Sequence, residues 1–126
     1  MPASPQPAAT FGRSQRLKES RDFQRAKTKG QRLPCGCLIA NWFAAPGLQT
    51  TRLGLVTSKQ VGPAVVRNRA RRLMRECYRL HQHELVGPLD LVLVARPSMA
   101  RKSWLEVEHD FLKAVRKANL LKTAKT

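Results

Sequence analysis

The apolar positions of this chain change their spacing several times, and each change marks an element. Val66, Ala70, Leu73, Cys77 and Leu80 recur at intervals of three and four, and at about 100° per residue they fall within a stripe about 80° wide. That spacing predicts a helix from about Ala64 to His81, entered through a turn at Gly62-Pro63. Trp104, Val107, Phe111, Ala114, Ala118 and Leu121 repeat in the same way, and Ser103 followed by Glu106 makes a capping box at their start. A last helix is therefore predicted, running to about Leu121. Leu89 to Ala95, LDLVLVA, is almost continuously apolar, as expected of a central strand covered on both faces.

Upstream the period shortens. A strand is predicted from about Cys35 to Phe43, closed by Pro46-Gly47, and another from about Arg52 to Ser58; the two would pair as a hairpin. Cys35-Gly36-Cys37 alternates with the strand period, which would turn both thiols to one face. Before these, Ser20 suits an N-cap, Asp22 a first turn and Gly30 a stop, which predicts a short helix from about Arg21 to Lys29 with Phe23 on its apolar edge. The fold class is α+β, a small two-layer α/β sandwich in the order α-β-β-(β)-α-β-α. The bracketed strand is a short one expected near Lys59.

At 126 residues the chain suits one domain. Residues 1–12 are rich in Pro, Ala and Ser without a charge and read as a tail, 13–121 as the domain, and 122–126 as a small basic tail. The start lacks a basic segment followed by an apolar run, so the expected location is cytoplasmic. Cys35, Cys37 and Cys77 are then expected as reduced, buried thiols.

Charge changes the picture most. Lys and Arg number 24 against 8 Asp and Glu, a net charge of +16. Six arginines stand between Arg67 and Arg79, RNRARRLMRECYR, against one acid, Glu76. Arg67, Arg71 and Arg75 lie at i, i+4, i+8, an arrangement that destabilises an isolated helix, so a polyanion is needed to offset it. Opposite the apolar stripe, Arg67, Arg71, Arg75, Asn68, Arg79 and Arg72 follow one another round a cationic face. Arginine's fork matches phosphate oxygens, and Asn68 both donates and accepts. A membrane partner is disfavoured, because the stripe has no Trp or Phe to insert and no apolar run spans a bilayer. DNA is disfavoured too, with no helix-turn-helix pair.

The acids, Glu19, Asp22, Glu76, Glu84, Asp90, Glu106, Glu108 and Asp110, form no convincing acid and base pair, and Ser58, His81 and Cys77 lack an orienting triad. No metal-ligand spacing appears. No catalytic residue is assigned, so any reaction must come from a partner.

The segment RLGLVTSKQVGPAVVRNRARRLMRE, Arg52 to Glu76, resembles the protein subunit of bacterial ribonuclease P, and the likeness extends from about Arg13 to Leu121. That resemblance implies a left-handed βαβ crossover around the basic helix. It also implies a partner RNA that uses Mg²⁺, held mainly by the RNA, to remove the 5′ leader of precursor tRNA. By motif, Arg67, Asn68, Arg69, Arg71, Arg72, Arg75 and Arg79 would contact the catalytic RNA. Phe23 and Lys59 would fall at a second cleft for the leader, with Arg13, Arg16 and Lys27 as cations for precursor tRNA. The family often carries an aromatic where Lys27 stands, so leader binding would be more electrostatic here. Trp42 is a candidate for the cleft if its face is the outer one, and core burial is the alternative. A small ribosomal protein or RNA chaperone with no part in tRNA processing is the other reading that charge and size allow.

Overall fold

The computed structural model describes residues 30–44 and 46–122. The predicted helix at 21–29, the tail at 1–12 and residues 123–126 lie outside them. Four strands form one sheet: β1 (Gln31–Cys35), β2 (Leu38–Phe43), β3 (Arg52–Val56) and β4 (Asp90–Ala95), in spatial order β1-β2-β4-β3. Helix α1 (Ala64–His81) joins β3 to its parallel neighbour β4, and α2 (Trp104–Lys117) follows β4. The class is the one expected, an α+β fold with helices on a small sheet.

The strand register explains the layers. Leu38, Ala40 and Trp42 of β2 face the same side as Leu91, Leu93 and Ala95 of β4 and Leu53 and Leu55 of β3. This side packs against Ala70, Met74, Cys77 and Tyr78 of α1 and Val107, Phe111, Ala114 and Val115 of α2. On the reverse, fully buried Val92 gathers Phe43, Val56 and Val94 into a second, smaller apolar cluster. β4 is apolar on both faces because it is central, as its sequence predicted.

Four expectations are corrected. The predicted strand from Cys35 is two strands: β1 and β2 form an antiparallel hairpin across Gly36-Cys37. Gly36 has φ of +60°, and an added Cβ would lie 2.2 Å from Asp110 Oδ2, so only glycine fits this tight turn. Cys35 ends β1 and Cys37 lies in the turn, so the two cysteines do not alternate along one strand. Second, β2 and β3 do not pair, because β4 lies between them. The extra strand is thus β1, and the chain near Lys59 is a 3₁₀ turn, Lys59–Val61.

Third, α1 has its predicted bounds, but its buried arc runs through Ala70, Cys77, Met74 and Tyr78, displaced about 70° from the predicted stripe by helix geometry. Leu80 is exposed as a result. Met74 and Tyr78 are the large side chains that this arc buries. Fourth, α2 stops at Lys117: Asn119 takes the left-handed conformation at φ 61°. Leu121 leaves the helix to bridge Leu85.

His81 clasps the two helices. Its Nε2 lies 2.8 Å from Glu108 Oε2 on α2 and its Nδ1 3.3 Å from Glu84 Oε2. Burial works to lower the imidazole pKa, but the bonds to Glu108 and Glu84 outweigh it and the pKa is raised. A raised folded pKa stabilises fully below the unfolded value of about 6.5 and loses that contribution as pH climbs through the folded value. Urea unfolding is therefore expected to show stability falling from about pH 6.5 upward, and Glu108→Gln should flatten the fall. An unchanged slope in that variant would contradict the clasp.

Candidate nucleic-acid interface

The arginines of α1 differ in what they already hold. Arg71 donates to Thr57 Oγ1 at the end of β3 and to Asn68 Oδ1. Arg69 Nη2 donates to the Lys102 carbonyl at 2.7 Å, across to the loop before α2. Both keep their full charge, since these acceptors are neutral. Arg79 instead pairs with Glu76 at 2.8 Å, and the hydrogen bond from Arg79 lowers the Glu76 pKa. Arg72 is exposed and Arg75 half-buried, and neither has a hydrogen bond among the described residues. Asn68 is exposed beside them.

The rotation of the helix moves Arg67. Its expected place was on the outer face, but the displaced arc brings it to the core side, where its Nε is buried and has no hydrogen-bond partner. Lys59 is exposed in the 3₁₀ turn ahead of α1. The cationic surface is therefore a band from Lys59 along α1, with Arg72 and Arg75 open to an incoming phosphate and Arg69 and Arg71 held rigidly on its two flanks.

The reverse face of the sheet carries a different feature, a groove of about 240 Å³ lined by Arg32, Ile39, Asn41, Val56, Val92 and Val94. β2 supplies Ile39 and Asn41 to this side, and Arg32 of β1 is the direct cross-strand neighbour of Asn41. Trp42 has the opposite parity. It pairs with Leu91 and packs in the main core, so its place is under the helices and not in the groove. The period of β2 could have revealed Asn41 and Phe43 as the groove-side residues, had Gly36 been read as a turn. Phe23, Lys27, Arg13 and Arg16 lie outside the described residues.

Neither Cys37 nor Cys77 is poised as a nucleophile. Burial pushes the Cys77 thiol up to about 12, and burial together with Asp110 does the same to Cys37, so both stay protonated near neutral pH. The described acids are committed to the protein: Glu76 to Arg79, Glu84 and Glu108 to His81, Asp90 to Arg52, Asp110 to the Cys37 amide and Glu106 to the capping box. No group of three or more His, Cys, Asp or Glu among the described residues is placed to hold a metal ion. These carboxylates do not fit a Mg²⁺ site. No helix among them is long and apolar enough to cross a membrane.

The family model for Ribonuclease P matches residues 11–119 of this chain. The chain belongs to the ribonuclease P protein family. Among its relatives, the ribonuclease P protein component of Alkaliphilus metalliredigens (strain QYMF) is 35% identical over 106 residues, covering 84% of this chain and 95% of that one. The component from Syntrophobacter fumaroxidans is 39% identical over 106 residues, covering 83% and 88%. The Staphylococcus aureus RNase P protein structure superposes with a TM-score of 0.80 at 25% identity, over 86% of this chain and 98% of that one. The RNase P protein from Thermotoga maritima, solved with 1-(4-fluorophenyl)-2-thiourea, gives 0.71 at 26% identity, over 78% and 94%. Membership makes this ribonuclease P protein a component of a tRNA-processing endonuclease that acts with an RNA, and the cationic band and the groove are the surfaces to be assigned within that role.

Proposed function

We propose that this chain is the subunit that binds the catalytic RNA of ribonuclease P through α1 and receives the 5′ leader of precursor tRNA on the reverse face of the sheet. The observation that carries the reading is the separation of two unlike surfaces by one sheet. A charged band holding Arg69, Arg71, Arg72 and Arg75 lies on the helix side, and an apolar groove edged by Arg32 lies on the other. Phosphates of a folded RNA suit the first, and a single strand with exposed bases suits the second. The bond cleavage belongs to the RNA and the Mg²⁺ it holds, since the described carboxylates already have partners. Lys59, three residues beyond the groove residue Val56, supplies a cation between the surfaces, and Phe23, Lys27, Arg13 and Arg16 would extend the leader side.

Reconstitution tests this. The purified polypeptide should leave precursor tRNA intact, and polypeptide plus the RNA subunit should remove the leader at low Mg²⁺. Nuclease activity that survives complete removal of RNA would sink the proposal. Sequencing RNA that copurifies with the chain separates it from a ribosomal protein or chaperone: one dominant structured RNA with precursor tRNA is expected, not a broad mixture.

A further inference from the structure

The guanidinium of Arg71 joins two neighbours. One Nη donates to the Thr57 hydroxyl, just past the end of β3, and the other donates to Oδ1 of Asn68, one turn earlier on α1. The first bond ties the helix back to the strand that leads into it, across fourteen positions of sequence. The second fixes the sense of the Asn68 amide. Arginine only donates, so the amide turns its carbonyl to Arg71 and keeps its two N–H groups for another acceptor. Asn68 is exposed, and no described residue accepts from its Nδ2. The Thr57 hydroxyl carries no charge of the band, yet it sets how an uncharged donor within the band is held.

We infer that Thr57 is a positioning residue for the RNA subunit: acting through Arg71, it holds the Asn68 amide ready to donate to an acceptor on that RNA. The inference rests on the proposal that α1 binds the RNA, and goes beyond it by assigning a part to a residue outside the helix. An exposed asparagine left to itself samples several rotamers and either sense of its amide, and ordering it on binding costs affinity. Arg71 removes that cost with two bonds from one planar fork, which a lysine's ammonium on a flexible stem does not reproduce. Both acceptors are neutral, so Arg71 keeps its charge for attraction of phosphates. The band therefore combines attraction by net charge, which falls steeply with salt, and a preset hydrogen bond that releases no counterion.

Filter binding of the RNA subunit across a salt series tests this. Thr57→Val keeps the shape and removes the hydroxyl. It should weaken binding about fivefold at every salt concentration, the scale of one hydrogen bond, with the slope of log affinity against log salt unchanged. Thr57→Ser should bind as the unaltered chain does. Arg71→Lys keeps the charge and loses the fork, so it should match Thr57→Val, which keeps the test decisive if the valine variant folds poorly. Thr57→Val combined with Asn68→Ala should bind no more weakly than Asn68→Ala alone, because the hydroxyl acts only through that amide. Full-strength binding by Thr57→Val and Arg71→Lys, or losses that simply add in the double variant, would overturn the inference. Unchanged binding when Arg72 and Arg75 are both replaced by alanine would overturn the RNA-binding proposal itself.

Discussion

Raising salt from 50 to 200 mM should weaken binding of the RNA subunit about five hundredfold, if each neutralised phosphate releases counterions as on duplex DNA. On the proposed RNA-binding face, the charges that count are those not paired with an acid. Lys59, Arg69, Arg71, Arg72 and Arg75 bring about five positive charges to the band with no acid paired to them, whereas Arg79 is offset by Glu76 at 2.8 Å. Arg72→Ala with Arg75→Ala should lower the slope of log affinity against log salt by about two. Arg79→Ala made together with Glu76→Ala should change it little, because the pair brings no net charge. Filter binding of the RNA subunit across a salt series reads both. A flat response, or an Arg79 and Glu76 variant indistinguishable from the Arg72 and Arg75 variant, would contradict the assignment of the band.

The second large effect is on stability. Asp90 is fully buried, and Arg52 donates from Nε and Nη2 to its two carboxylate oxygens at 2.8 and 2.9 Å. Arg52 and Asp90 are direct neighbours on the parallel strands β3 and β4, so the fork meets the carboxylate in plane. Asp90→Ala would take the carboxylate away from a largely buried guanidinium, at a cost of about 3 to 5 kcal/mol. Small domains hold only about 5 to 15 kcal/mol in total, so the urea midpoint should fall steeply. Replacing both partners, Arg52→Met with Asp90→Leu, should recover much of the loss, because an apolar pair avoids the desolvation of two charges. A single variant costing under about 1 kcal/mol would show that the pair contributes little.

Local chemistry made several elements legible. The bounds of α1, the central place of β4 and the capping box on α2 each follow from signals carried within a few residues: period, continuous apolarity, and a serine three positions before a glutamate. Where a reading failed, the deciding contact was distant in sequence. Gly36 is a turn because Asp110, on the far helix, occupies the space of a Cβ. The rotation of α1 buries Met74 and Tyr78, and local spacing gives them no more weight than Leu73 and Leu80. The face of Trp42 hung on a one-residue register, which pairing with Leu91 decides.

By itself, the order of residues determined the fold class, the positions of the long elements and the need for a polyanion, because period and net charge are properties of the chain whatever its path. Tertiary structure alone decided which arginines are already engaged and that Arg67 turns inward. It also set β4 between β2 and β3, and placed Asn41 in the groove on the reverse face of the sheet. These depend on which surfaces meet, and the meeting residues come from strands and helices tens of positions apart.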